Sequence, residues 1–346
     1  MASRSSHFSS FVVFDYRSTP KLMPDFPPSP LPIGKRFPPA LQPGDRLTVI
    51  APSGCLRETA SFERGMAIWR SRGYDVICPP GLDDRHGYLA GTDADRRSRL
   101  RAAWRDPAVK GILCLRGGYG GTRLLEDFEW SEADRASPKW LIGFSDITSL
   151  LWSLARVGVG SVHGAVLTTL ADEPDRSRQR LFDLVEGRAI APLSGRMLVN
   201  PANSANPASD SGDRDPVVTG WICPANLAVG TSLLGTPHQP DLTGAIVAFE
   251  DVGEAPYRLD RLLTQWRSMG MFAGVRGIAL GRFSQAEVPA GHPSFSVEEL
   301  MRDRLGDLGI PILMDLPFGH DGENAALPCG AIATIDPRSA ALSIVV

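Results

Sequence analysis

From Arg46 onward, short apolar runs alternate with amphipathic stretches, and this alternation restricts the chain to a sheet covered by helices. Residues 47–51, 74–78, 111–115 and 140–143 read as strands, with helices expected at 58–72, 93–104 and 122–128. The second helix opens on Thr92 as N-cap, with Asp93 and Asp95 in its first turn, where a carboxylate faces the positive end of the helix dipole. Past Ser145, the residues Ile147, Leu150, Leu151 and Leu154 recur at helical spacing, so a further helix begins there. The class is α/β with a largely parallel sheet.

A second α/β unit is expected in the C-terminal half. It comprises strands at 245–249, 277–280, 311–314, 331–335 and 342–346, and a helix opened by Pro256 whose buried stripe is Leu259, Leu262, Leu263, Trp266 and Met269. Asn200 to Asp215 holds Pro, Asn, Ser, Ala and Asp with almost no large apolar residue, the composition of a linker. At 346 residues the chain exceeds what one core usually organises. The expected division is a disordered Pro/Ser-rich tail at 1–40, a first domain at 41–190, a linker at 191–219 and a second domain at 220–346. There is no internal repeat, and the Ser-rich start is broken by Arg4, Asp15 and Arg17, unlike the apolar core of a secretory signal.

Charge and cysteine content narrow the function. The 36 Lys and Arg against 39 Asp and Glu lack the basic excess that a phosphate backbone demands, so nucleic acid is not expected as a partner. No apolar run reaches the roughly 18 to 20 residues of a membrane-spanning helix. The five cysteines form no C-x-x-C pair, which argues against a zinc knuckle or disulfide framework and for a reducing compartment.

Three polar clusters sit where strands should end, the usual place for functional groups in α/β sheets. The first, Arg116-Gly117-Gly118-Tyr119-Gly120-Gly121, has the backbone freedom to cradle an anion or oxyanion, and reads equally as plain turn chemistry. The second, Gly143-Phe144-Ser145-Asp146, lifts a hydroxyl between strand and helix as a nucleophile elbow does. A structural reading, compatible with the first, is that Ser145 or Asp146 caps the helix. Ile147 stands where G-x-S-x-G has its second glycine, so an α/β-hydrolase proper is not supported.

The third comprises Glu250-Asp251, closing a strand, and His320 in Leu316-Pro317-Phe318-Gly319-His320. A serine hydroxyl needs a neutral imidazole to take its proton, and the imidazole needs a carboxylate to fix its tautomer. Ser145, His320 and Glu250 can fill these roles. His163 is a second histidine candidate, lining the substrate site, and Glu254 competes with Glu250, although its place ahead of a helix has a structural explanation. His320, Asp321 and Glu323 lack a metal-binding spacing, so no metal is expected.

Together these clusters resemble the LD-carboxypeptidase family, which includes the microcin C self-immunity hydrolases. The resemblance runs from about Gly44 to the C-terminus through Gly44-Asp45, Ala51-Pro52-Ser53, Arg116 to Gly120, Lys139 to Asp146 with Thr148, Gly235-Thr236-Pro237, Glu250-Asp251 with Glu254, Tyr257, Asp260-Arg261 and Gly319-His320. It implies a Rossmann-like N-terminal domain with a parallel sheet carrying the nucleophile, a smaller α/β C-terminal domain carrying Glu and His, and a homodimer. By motif position it implies Ser145 as nucleophile, His320 as general base, Glu250 as orienting acid, and the amides of Gly118 and Asp146 as oxyanion hole. Arg116 and Tyr119 become substrate-binding residues of the site wall.

The activity implied is cofactor-free release of terminal D-alanine from a murein tetrapeptide, in the cytoplasm, during cell-wall recycling. Two rivals stand beside it: an immunity-type amidase cutting peptide–nucleotide conjugates, and a non-catalytic module binding an anion or nucleotide on the glycine-rich loop. The sequence departs from the family in its N-terminal tail, its interdomain linker and Pro224-Ala225-Asn226-Leu227, where more glycine is usual.

Overall fold

The computed structural model describes residues 36–201, 217–286 and 292–346. Among these residues fourteen strands occur in chain order: β1 Arg46–Ile50, β2 Asp75–Ile77, β3 Val109–Cys114, β4 Trp140–Gly143, β5 Ser161–His163, β6 Leu193–Ser194, β7 Arg196–Val199, β8 Val218–Asn226, β9 Ala245–Val252, β10 Gly277–Ser284, β11 Ile312–Met314, β12 Leu327–Cys329, β13 Ile332–Asp336 and β14 Ala341–Val345. They form two sheets, one of six strands in the order β12-β5-β4-β3-β1-β2 and one of eight in the order β6-β14-β13-β8-β9-β10-β11-β7.

In the first sheet β1 to β5 run parallel, with helices Thr59–Ser71, Asp93–Arg105 and Thr148–Arg156 among the crossovers. The Thr92 side chain accepts from Asp95 N–H, so that cap forms as the sequence indicates. Since β2 lies on one side of β1 and β3 on the other, the winding reverses between β1 and β3. A crevice opens there at the carboxyl ends of the strands, the place where such sheets bind ligands. Residue 54, after β1, and residue 117, after β3, meet across it, Gly54 N–H donating to Gly117 O at 3.3 Å.

In the second sheet β8, β9, β10 and β11 are parallel and the outer strands antiparallel. Helix Thr148–Arg156 is clasped between the two units. Every residue from Thr148 to Ala155 is buried, and Trp152 donates to Pro224 O at 3.0 Å while its ring meets Trp266 edge-on at 6.0 Å. The apolar stripe read from the sequence is therefore one side of a helix covered all round.

Four boundaries differ from expectation. The segment 191–219 is not simply a linker, because β6, β7 and the first residues of β8 fall in it and supply the second sheet with both its edges. Such strands, two and four residues long, are too short to show a pattern of their own. Residues 202–216, most of the Asn200 to Asp215 stretch, lie outside the described residues.

The span 220–346 is not self-contained either, since β12 leaves it to pair antiparallel with β5 in the first sheet. The tail expected at 1–40 ends earlier. Arg36 N–H donates to Gly158 O at 2.9 Å, Phe37 packs on Trp140 at 5.8 Å, and Pro39 O accepts from the Trp140 indole at 2.8 Å. Residues 1–35 lie outside the described residues. Finally, the helix expected at 122–128 is the single turn Gly121–Leu124 continued by a 3-10 turn, Leu125–Asp127.

Candidate active site

β4 ends at Gly143, and Ser145 follows in a left-handed conformation, φ 64°, at the start of a 3-10 turn that runs into helix Thr148–Arg156. Left-handed backbone costs a non-glycine residue roughly 1–2 kcal/mol, and such strain is characteristic of sites where a side chain must be lifted from its surroundings. Neither Ser145 nor Asp146 caps the helix through its side chain, so the capping reading does not hold. The Asp146 carboxylate turns to the glycine-rich loop instead and accepts Gly121 N–H at 2.7 Å. Burial pushes its carboxyl upward, and the Gly121 amide works against that shift.

The glycine-rich loop lies directly on the elbow. A β-carbon on Gly117 would stand 2.9 Å from Ser145 Cβ and 3.1 Å from its Oγ, so only glycine permits the approach. Gly118 follows with φ 116°, and neither its amide nor that of Asp146 is spent on a backbone carbonyl among the described residues. Arg96, 1% exposed, holds the loop from beneath: its guanidinium donates to Gly120 O at 2.9 Å and to Pro52 O, while pairing with Asp93. Tyr119 stands half-exposed in edge-on contact with Tyr88, their ring centres 5.7 Å apart.

The second unit brings the other two groups. Glu250, fully buried near the end of β9, lies 2.6 Å from His320 Nδ1 through Oε2. A carboxylate can only accept, so Nδ1 carries the proton and Nε2 is left as the base. The His320 ring packs on Phe144, the residue before Ser145, with centres 4.7 Å apart. Ser145 Oγ and His320 make no hydrogen bond here, a contact that often tightens only when substrate binds. Glu254 is 3.8 Å from Arg258, one helical turn on, and takes no part in the pair.

His320 is held from both sides. Gly319 before it has φ 131°, and a β-carbon there would press on Glu250 Cβ at 3.3 Å and Arg282 O at 3.2 Å. Its N–H donates to the Asn324 side chain at 3.1 Å. Asn324 is itself locked to the first unit, its N–H donating to Glu173 at 2.9 Å and its carbonyl accepting from Ser177 at 3.0 Å. This bridge ties the His320 loop of the second unit to the first unit, whose Phe144 packs on the imidazole, and the sequence shows no sign of it because Glu173, Ser177 and Asn324 belong to no shared motif. Asp251, beside Glu250, is scaffold: it accepts from Asn226 and from Ala228 N–H, and burial pushes it up to about 6. Asn226 also caps helix Leu227–Ser232, which gives the departure at 224–227 a local role.

His163 does not line a substrate site. It is fully buried on β5, between Phe144 at 5.9 Å and Phe318 at 6.2 Å, with neither ring nitrogen bonded to a described residue, and burial followed by the nearby His320 pushes it down to about 3. Buried unpaired polar atoms cost on the order of 1–3 kcal/mol. His163→Leu is therefore expected to raise the melting temperature by about 2 to 4 °C or more. A fall of that size in a thermal melt would mean the nitrogens are satisfied in solution.

Among the described residues there is no group of three His, Cys, Asp or Glu placed to hold a metal, and Glu323 is engaged by Arg176 at 2.6 Å. No helix among them is long and apolar enough to cross a membrane.

Comparison with known proteins matches this architecture at every level. Residues 47–164 match the LD-carboxypeptidase N-terminal domain and residues 219–335 the LD-carboxypeptidase C-terminal domain. A putative carboxypeptidase of Synechocystis sp. is 52% identical over 88% of this chain and 95% of its own length. The murein tetrapeptide carboxypeptidase of Pseudomonas aeruginosa is 32% identical over 85% and 94%. The crystal structure of muramoyltetrapeptide carboxypeptidase from Oxalobacter formigenes superposes with a TM-score of 0.71 at 27% identity, covering 86% of this chain and 97% of that one. With a stretch in each half of the chain and most of its length accounted for in this way, the chain belongs to the LD-carboxypeptidase family.

Proposed function

We propose that this carboxypeptidase is a serine enzyme that removes the terminal D-alanine from murein tetrapeptide, with Ser145, His320 and Glu250 as its triad. The observation that carries the reading is the buried Glu250–His320 pair, set by the second unit against Phe144 beside a serine in left-handed backbone. Ser145 Oγ attacks the scissile carbonyl carbon and its proton passes to His320 Nε2. The oxyanion is received by the amides of Gly118 and Asp146. Collapse breaks the C–N bond, and His320 returns the proton to the departing D-alanine nitrogen. Water, deprotonated by the same imidazole, then frees the tripeptide from Ser145. Glu250 fixes the tautomer and offsets the positive charge. The substrate class is supported by the murein tetrapeptide carboxypeptidase relative. A cytoplasmic location in cell-wall recycling and a homodimeric assembly belong to the same proposal.

The test is mass spectrometry of the tetrapeptide and of its epimer ending in L-alanine. In the natural substrate the D-alanine methyl projects to one side of a bound carboxylate, and in the epimer it projects into the wall. One misplaced methyl is worth on the order of 1–3 kcal/mol, and misalignment of the carbonyl adds to that. The D-terminated peptide should lose its last residue at least tens of times faster. Equal rates on the epimers, or cleavage confined to an aminoacyl-nucleotide amide, would replace this reading by the immunity-type hydrolase. No reaction of Ser145 with any acylating probe would favour the binding module.

A further inference from the structure

Arg116 carries a cation with no carboxylate in ion-pair contact among the described residues. Its guanidinium is partly buried in the crevice between β1 and β3, where Nη1 makes one long hydrogen bond to Cys55 O, 3.4 Å, and no carboxylate of the described residues forms an ion pair with it. Nearby arginines differ in this respect: Arg96 and Arg123 both pair with Asp93, and Arg99 pairs with Asp84. Burial first, and then the Arg57 cation, disfavour the charge on Arg116, with Cys55 and Asp146 giving a smaller opposing pull and the net direction downward. An anion arriving beside it relieves both effects.

The backbone is shaped to admit this side chain. A β-carbon on Gly54 would lie 2.1 Å from Arg116 Nη1, and one on Gly118 would lie 3.3 Å from the same atom. Gly54 does not have the left-handed φ that would call for glycine on its own account, so the guanidinium's space is what the residue provides. Gly117, between Arg116 and Gly118, is the residue that touches Ser145. The cation therefore belongs to the loop that abuts the nucleophile and carries the proposed oxyanion amide of Gly118. Its planar fork matches a carboxylate in two parallel hydrogen bonds.

We propose that Arg116 receives the free C-terminal carboxylate of the substrate and thereby confines cleavage to the last amide bond of the peptide. A peptidase lacking such a group would accept internal bonds. With the carboxylate pinned one residue beyond the scissile carbonyl, only the terminal bond reaches Ser145. Arg116 is a specificity determinant and takes no part in proton transfer. The proposal rests on the peptidase reading above.

The test compares the tetrapeptide with its C-terminal carboxamide, using wild type, Arg116→Ala, Arg116→Gln and Arg116→Lys. Wild type should favour the acid in kcat/KM by about 10- to 150-fold, the range of a hydrogen bond between charged groups. In Arg116→Ala that preference should collapse toward unity, through a loss on the acid with little change on the carboxamide. Arg116→Gln, which keeps more of the side chain's bulk, should behave the same way, and Arg116→Lys should retain part of the preference. A preference unchanged in both neutral variants would overturn the assignment, as would equal losses on the two peptides. If wild type cleaves neither peptide, the peptidase reading fails and this one with it, an outcome distinct from cleavage with an unchanged ratio.

Discussion

Ser145→Ala is expected to lower turnover on the tetrapeptide by about 10⁴- to 10⁶-fold, the usual loss when a triad member is removed. The side chain lies at the surface of the crevice and helps fill no core, so the fold should be untouched. A comparison with Ser145→Gly adds a structural readout. At φ 64° alanine keeps the strain of left-handed backbone, whereas glycine adopts it freely. Glycine should be the more stable of the two inactive variants by about 1 kcal/mol, the difference remaining after its larger entropy loss on folding. Chemical denaturation of both proteins checks this. Turnover above a few per cent of wild type in either variant would remove Ser145 from the mechanism, and equal stability would remove the strain.

The sequence shows the site better than it shows the way the units join. The proposed site residues draw notice in the sequence as polar groups beside apolar runs, Glu250 near the end of β9 and Ser145 just past β4, and the structure brings Glu250 to His320 and His320 to Phe144. The parallel strands of the first sheet are legible because runs such as Leu47–Val49 and Ile112–Leu115 are buried almost completely. β12 could not be read. Its three residues, Leu327, Pro328 and Cys329, carry no period, and they pair with β5, a strand of the other unit far away in sequence.

Arg96 is a different failure. It lies in the run Asp93–Arg105, where arginines suggest a solvated face, yet its side chain is buried under two loops of the site. Nothing in the local pattern separates it from Arg97 or Arg99. The helix Asp175–Val185 was hidden similarly, four charged residues in its first two turns masking the buried Leu181, Phe182, Leu184 and Val185. Helix Val297–Leu305 did leave a signal. Ser296-Val297-Glu298-Glu299 is a capping box, with the Ser296 and Glu299 side chains each accepting the other's backbone N–H.

Glu250→Gln should cost about 10³- to 10⁴-fold in kcat while leaving KM and the fold nearly unchanged, because the amide preserves shape and removes only the charge. A glutamine can offer its NH₂ to His320 Nδ1, which stabilises the wrong tautomer and turns Nε2 from acceptor into donor. The imidazolium formed during attack would then also lack its neutralising partner in a largely desolvated setting, where such a charge is costly. Glu254→Gln provides the control, since that carboxylate lies 3.8 Å from Arg258 and pairs with no other described residue, and its removal should change turnover by a few fold at most. Steady-state kinetics on the two variants decides between the carboxylates, and a larger loss at Glu254 would assign the acid to the helix end instead of the strand. His320→Ala completes the comparison. If Glu250 acts only through the imidazole, Glu250→Gln should cost little further in the His320→Ala background, whereas additive losses would give Glu250 a separate contact with the substrate.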